Sequence, residues 1–179
     1  MFKKILIITV VLACIFGISY GVLTSLFPTQ YSEYVEKYAE KYSVDPSTIY
    51  AIIKAESNFE PAAASHKGAV GLMQITPDTG KWCAEKMNLA QYKTEDLVNP
   101  EANINIGVWY FSYLSERMQS EELAIISYNA GMGKVNKWID EGNIRPPELK
   151  VGEIPYQETR KYLKKVMLFT KIYEALYDL

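Results

Sequence analysis

The pattern of hydrophobic and polar positions separates a long apolar run at the start of the chain from a longer segment with helical periodicity. Lys3 and Lys4 precede an uncharged stretch, of which residues 5–27 are strongly apolar. About 20 apolar residues suffice for a helix to cross a bilayer, whereas the apolar core of a cleavable signal peptide has roughly 7–15. We therefore predict that residues 1–30 form a cytoplasmic stub and a single transmembrane anchor. A removed signal peptide is the alternative, and in both cases residues 31–179 are exported because positive charge stays inside.

From residue 31 onward, hydrophobic positions recur at intervals of three and four, which is typical of amphipathic helices. Helix starts are predicted at Asp45-Pro46, Pro77-Asp78 and Asn99-Pro100, where a capping side chain or a proline in the first turn fits. A further helix is expected from Glu121 to Ala130, ended by Gly131 and Gly133. A last helix is expected to carry Leu163, Val166, Met167, Thr170 and Tyr173. We predict an all-α fold for one domain over residues 31–179, with at most a short β hairpin near residues 150–156.

The amino-acid composition excludes several classes of function. The net charge is −2, so the charge balance does not favour a nucleic-acid partner. One histidine, His66, and two cysteines, Cys14 and Cys83, make a zinc site or a His-dependent nucleophile improbable. No cofactor or metal is predicted. Carboxylate chemistry remains the best-supported option.

Glu56 is the first candidate for that chemistry. It shares a predicted helix face with Ile49, Ile52 and Ile53, because residues three and four apart lie on one side of a helix. Burial favours the neutral form of a carboxyl group, which is the form that a general acid needs near neutral pH. A solvent-facing glutamate at a helix end is the alternative at this stage.

A glycine-rich loop follows, with the sequence Gly68-Ala69-Val70-Gly71-Leu72-Met73-Gln74. It lacks the lysine and serine of a phosphate-binding loop, and its glycines permit close approach to a neighbour or a ligand. Gln74 offers an amide donor and acceptor suited to sugar hydroxyl and N-acetyl groups, or to the loop's own backbone.

Four blocks in this order resemble the signatures of lytic transglycosylases related to the soluble murein transglycosylase, whose domain is similar to goose-type lysozyme. They cover roughly residues 44–166. The first block is Glu56-Ser57-Asn58-Phe59 with Pro61, Ala63, Ser65 and Gly68 to Pro77, and the second is Pro100, Asn103-Ile104 and Gly107. The third runs from Ala124 through Ser127-Tyr128-Asn129-Ala130-Gly131, and the fourth is Ile154-Pro155-Tyr156 with Glu158-Thr159-Arg160 and Tyr162. The resemblance implies a lysozyme-like fold, peptidoglycan glycan strands as the substrate, and cleavage between N-acetylmuramic acid and N-acetylglucosamine.

The same resemblance implies a role for each matching residue. Glu56 would be the sole catalytic acid and base, first protonating the glycosidic oxygen and then taking the proton from the muramoyl C6 hydroxyl as a 1,6-anhydro end forms. Ser65 would orient the substrate's N-acetyl group, whose oxygen could replace the second carboxylate that most glycosidases need. Substrate-binding or supporting roles fall on Met73, Gln74, Tyr128 and Asn129, and Glu158 would lie near the floor of the site.

Several alternatives stay open. Water could attack in place of the C6 hydroxyl, giving a muramidase, or the domain could be an inactive wall-binding or scaffolding module of a secretion apparatus. Tyr128 to Gly131 could be no more than a helix end, and Glu158 could form a structural ion pair with Arg160. Glu60 and the group Lys161, Lys164 and Lys165 are interpreted as solvated.

Overall fold

The computed structural model describes residues 2–177 and Leu179. It divides into two compact units, residues Met1–Gln30 and Tyr31–Leu179, which are considered separately. Eight α-helices are present among the described residues. They are α1 (Phe2–Leu26), α2 (Ser32–Tyr42), α3 (Pro46–Glu56), α4 (Pro77–Lys86), α5 (Pro100–Met118), α6 (Glu121–Ala130), α7 (Met132–Asp140) and α8 (Gln157–Tyr177), with 3-10 helices at Thr94–Val98 and Val151–Glu153.

Helix α1 is apolar on every side. Its 25 residues reach a mean hydropathy of 2.6 over an 18-residue window, and none of them is buried by the described protein. A helix of this length and composition is able to cross a membrane.

Helix α3 is the helix that carries Glu56, and most of its residues are buried in the second unit. Asp45 accepts a hydrogen bond from the Ser47 amide, and Pro46 stands at the first turn, as the sequence predicts. Ile49 and Ile53 are completely buried, and the helix packs mainly against α8. Burying each such side chain stabilises the fold by roughly 1.5–3 kcal/mol. The last residue of α3 is Glu56, so this core fixes the position of the main catalytic candidate.

The other helices of this unit pack on one another. Helix α5 packs against α2 and α6, and α6 packs against α7 and α8. One face of α5 is buried and consists of Ile104, Val108, Phe111 and Leu114, which are spaced three or four residues apart. Asn99 caps α5 by accepting from the Ala102 amide.

Two sequence expectations differ from the structure. Gly131 ends α6 as predicted, but Gly133 lies inside α7. This helix was not predicted, because the two glycines were interpreted as a helix end. Its buried residues, Val135 and Trp138, are only three apart and offer too short a stripe to recognise. The optional hairpin near residues 150–156 does not form in the described chain, where the 3-10 helix Val151–Glu153 stands instead. Among the described residues, the only β-type pairings are isolated bridges within residues 64–75.

Candidate active site

An open cleft of about 580 Å³ lies beside the C-terminal end of α3. It brings together residues from three helices and from the loop between α3 and α4. Its lining consists of Glu56, Ser65, His66, Lys67, Ala69, Gln74, Thr76, Tyr128, Asn129 and Glu158. Six of the seven sequence-predicted site residues are therefore in one place, and Met73 is the exception.

Glu56 is half-buried at the edge of the cleft. Burial is the main influence on its carboxyl group and raises its pKa above the ordinary value. The Tyr162 hydroxyl and the Lys165 ammonium oppose that rise, and the negative charge of Glu158 adds to it. The Tyr162 hydroxyl is directed towards the carboxyl group without reaching hydrogen-bond geometry. Glu56 is thus biased towards the protonated form while remaining open to the cleft.

The residues on either side of Glu56 are held by hydrogen bonds. The Ser57 hydroxyl donates to the Leu72 carbonyl at 2.8 Å, which ties the end of α3 to the glycine-rich loop. The Lys165 ammonium donates to the Ala55 carbonyl at 2.9 Å, which ties the same end to α8. The backbone that carries Glu56 is therefore fixed from two directions.

Asn103 fastens the glycine-rich loop to α5. This fully buried side chain accepts from the Met73 amide at 2.8 Å and donates to the carbonyls of Val70 and Leu97 at 2.9 and 2.8 Å. Gly71 is required beside it, because its φ is +83° and a Cβ there would collide with Asn103 and with the Leu97 backbone. The loop thus has a defined shape although it forms no regular strand.

Gln74 supports the loop through its amide nitrogen, which donates to the carbonyls of Ala63 and Gly71 at 3.0 and 2.9 Å. This is the loop-stabilising role that the sequence left open. Its amide oxygen has no hydrogen-bond partner in the described part of the chain and belongs to a residue that lines the cleft. Gln74 can therefore stabilise the loop and accept a hydrogen bond from a ligand at the same time.

Ser65 precedes the glycine-rich loop and also lines the cleft. Its hydroxyl oxygen accepts from the Ala69 amide at 3.1 Å. Because that bond uses the oxygen as an acceptor, the hydroxyl hydrogen stays available to a ligand in the cleft. The geometry suits a donor to a carbonyl oxygen.

Tyr128 and Asn129 bring the end of α6 into the site. The Tyr128 hydroxyl donates to the Met73 carbonyl at 2.8 Å, and burial raises its pKa well above the ordinary value. The Asn129 side-chain oxygen accepts from the Thr159 hydroxyl at 3.0 Å. The Met73 side chain is completely buried and does not line the cleft, which favours the supporting one of the two roles that the sequence left open for it. It supports the site from behind, through its backbone.

The structure places Glu158 at the rim of the cleft rather than at its floor. Its side chain is 75% exposed and lies 4.0 Å from the Lys67 ammonium, which is 70% exposed. The alternative ion pair between Glu158 and Arg160 is not formed among the described residues, where Arg160 donates to the Ile154 carbonyl at 2.9 Å. Glu60 is exposed, as expected, and accepts from the Ala62 amide.

Two residues that influence Glu56 were missed as site residues. Tyr162 is present in the last sequence block, but its spacing did not reveal that the ring is buried against the acid. Lys165 was interpreted as part of a solvated lysine group, and its exposure agrees, yet its ammonium reaches the end of α3. Only the packing of α8 on α3 brings these residues together.

Residues 33–149 match the transglycosylase SLT domain family. The soluble lytic murein transglycosylase of Salmonella typhimurium is 33% identical over 164 residues, covering 90% of this chain and 25% of that protein. The fold is also similar to an X-ray structure of the lytic transglycosylase Slt from Pseudomonas aeruginosa, an inactive glutamate-to-glutamine variant, with a TM-score of 0.78 and 31% identity. The match covers 86% of this chain and 25% of that chain. The membrane-bound lytic murein transglycosylase C of Actinobacillus pleuropneumoniae is 34% identical over 159 residues, which cover 76% of this chain and 44% of that protein.

The described residues thus form an all-α domain with an open cleft lined by Glu56 and Glu158. The chain belongs to the transglycosylase SLT domain family, which confirms the resemblance seen in the sequence blocks. It spans about a quarter of the length of the soluble relatives that it matches.

Proposed function

We propose that this protein is a membrane-anchored peptidoglycan lytic transglycosylase in which Glu56 is the single catalytic acid and base. The observation that supports this most directly is the half-buried Glu56 carboxyl group, with its raised pKa, at the edge of an open cleft. The activity named for its relatives from Salmonella typhimurium and Pseudomonas aeruginosa agrees with this chemistry.

In the proposed reaction, the protonated Glu56 carboxyl donates its proton to the glycosidic oxygen between N-acetylmuramic acid and N-acetylglucosamine. The bond from that oxygen to C1 breaks, and the leaving sugar departs as an alcohol. The carboxylate then accepts the proton of the muramoyl C6 hydroxyl as its oxygen attacks C1. The product has a 1,6-anhydro ring, Glu56 is protonated again, and no water is consumed.

The positive charge that develops at C1 requires a stabilising group. Glu158 is a poor candidate, since it is exposed at the rim and close to Lys67. The substrate's own N-acetyl oxygen can serve instead, and the free hydrogen of the Ser65 hydroxyl is placed to orient the acetamido group. Gln74, Tyr128 and Asn129 contribute polar groups to the walls that hold the glycan.

The reaction products decide between transfer and hydrolysis. The full chain in mild detergent would be incubated with purified sacculi, and the released muropeptides analysed by mass spectrometry. We expect anhydromuramic ends, which are lighter by one water than the corresponding reducing ends. Reducing N-acetylmuramic acid ends alone would identify a muramidase, and no release at all would favour a wall-binding module.

We further propose that residues 1–30 anchor the protein and that residues 31–179 form the catalytic domain outside the cytoplasmic membrane. The apolar length of α1 and the two lysines before it support this arrangement. Cells expressing the chain with a C-terminal tag would be fractionated and treated with protease after opening of the outer layers. Full-length protein in the membrane fraction, degraded from outside, is expected. A shortened protein in the soluble fraction would indicate a removed signal peptide.

A further inference from the structure

The C-terminal end of α3 has carbonyl groups without partners in the helix, and Lys165 binds one of them. The last four carbonyls of an α-helix have no partner within the helix and carry a partial negative charge. Ala55 belongs to this last turn and directly precedes Glu56. Without compensation, that negative potential would act on the carboxyl group of the catalytic candidate.

Lys165 extends from α8 to this point. Its ammonium donates to the Ala55 carbonyl at 2.9 Å and lies 5.7 Å from the centroid of the Phe169 ring, one turn further along α8. Lys164 is also exposed but has no hydrogen bond or ion pair within the described residues. The contact is therefore specific to one lysine of the group and is not a general property of a basic helix face.

Charged and titratable groups approach the end of α3 from each neighbouring element. They are Tyr162, Lys165 and Glu158 from α8, Tyr128 from α6, Lys54 from α3 itself, and His66 and Lys67 from the loop that lines the cleft. Lys67 is paired with Glu158. Lys165 is the one cation among them whose charge opposes the effect of burial on Glu56.

We propose that Lys165 is a positioning residue for Glu56, holding the last turn of α3 through the Ala55 carbonyl and neutralising the negative end of that helix beside the acid. The proposal rests on the proposed function of Glu56 for its kinetic consequences. Lys165 would not touch the substrate. Its effect passes through the backbone and the local potential.

Three variants test this role in the full chain. Lys165→Met keeps most of the aliphatic length without the charge, Lys165→Arg keeps the charge and the donors, and Lys164→Met is the matched control on the neighbouring position. We expect Lys165→Met to lower kcat on sacculi by up to about tenfold with little change in KM. Lys165→Arg should restore most of the loss, and Lys164→Met should behave as the unchanged protein.

The dependence of activity on pH distinguishes this role of Lys165 from a contribution to fold stability alone. Glu56 acts first as an acid, so activity falls as pH rises through its pKa. Loss of the nearby positive charge disfavours the carboxylate and raises that pKa further, so the alkaline limb for Lys165→Met should move to higher pH. An unmoved limb, or a loss of kcat not rescued by Lys165→Arg, would overturn the proposal.

A readout without turnover keeps the two proposals distinguishable. The Glu56 carboxyl carbon would be titrated by NMR in carbon-13-glutamate-labelled full-length protein in detergent, with Glu56→Gln used to assign the signal. A higher midpoint in Lys165→Met than in Lys164→Met is expected even if the protein releases no muropeptides. Equal midpoints would reject the role of Lys165, whatever the activity.

Discussion

The two sides of the cleft provide carboxylates in opposite situations. On the inner wall, Glu56 ends a buried helix whose last turn is held by Ser57 and Lys165, and burial raises its pKa. On the rim, Glu158 is 75% exposed and faces an equally solvated lysine. The same chemical group is thus biased towards its neutral form on one side and left solvated on the other. The surrounding structure, rather than the residue type, assigns the task.

Exchanging the acid on the wall should produce the largest effect. Glu56→Gln preserves shape but cannot donate or accept the proton, so activity on sacculi should fall by at least about 10²-fold. Muropeptide release and circular dichroism would be measured together. The matched exchange on the rim, Glu158→Gln, should retain turnover. Comparable losses in both variants would contradict the contrast between wall and rim.

Removing the Asn103 side chain, which holds the glycine-rich loop beside the cleft, should have the next largest effect. Asn103→Ala would leave the Met73 amide and two backbone carbonyls without their partner in a buried place. Each unsatisfied group costs about 1–3 kcal/mol, so the free energy of unfolding should fall by at least about 3 kcal/mol. Urea denaturation would measure it. Asn105→Ala is the control, since Asn105 accepts one hydrogen bond, from the Tyr42 hydroxyl, and it should cost clearly less.

The raised pKa of Glu56 predicts how stability depends on pH. In the folded protein this carboxyl group holds its proton to higher pH than in the unfolded chain. Its contribution to stability is therefore complete at acid pH and is lost as pH rises through the folded-state pKa, by about 1.4 kcal/mol for each pKa unit of displacement. Glu56→Gln should match the unchanged protein in Tm at acid pH and exceed it at neutral pH. A constant difference would argue against the shift.

A single hydrogen bond across the wall should have a moderate effect. Tyr128→Phe removes the donor to the Met73 carbonyl, which is worth about 1 kcal/mol. If the bond steadies the wall during the reaction, kcat falls by about fivefold. Tyr113→Phe changes an aromatic ring that stacks on Trp109 and has no hydrogen bond among the described residues. Equal kinetics for the two variants would show that the Tyr128 hydroxyl is dispensable.

The smallest effect is expected at the rim. The Glu158–Lys67 pair is exposed on both sides, and such pairs contribute about 0–1 kcal/mol to stability. Glu158→Gln should leave Tm almost unchanged and alter KM more than kcat if the carboxylate touches the glycan. A kcat loss approaching that of Glu56→Gln would place Glu158 in the chemistry itself.

The helices were largely predictable because their signals are local. Asp45-Pro46 and Asn99-Pro100 mark helix starts with a cap and a fixed φ, and the structure has both. The four-residue spacing of Ile49 and Ile53 predicted the buried face of α3. By contrast, α7 was missed because Gly131 reads as a stop in sequence, whereas in space it also serves as the start of the next helix.

The site was predictable as a set of residues but not as an arrangement. The sequence blocks identified Glu56, Gln74 and Tyr128 as candidates, yet Met73 proved to be buried and Glu158 proved to be exposed. Those outcomes depend on how α8 and the glycine-rich loop pack around α3. Long-range contacts such as Lys165 with Ala55, 110 positions apart, leave no periodic pattern that a single sequence can reveal.

The attachment of the glycine-rich loop by Asn103 has a consequence for folding order. The loop contains two isolated bridges and no strand ladder, so its local contacts alone offer little cooperative stability. Its lasting shape depends on α5, which lies about thirty positions further along the chain. The inner wall should therefore assemble only after α5 docks, and the Met73 amide should exchange with solvent at the same rate as the buried amides of α5. The cleft and α5 would then open as one unit.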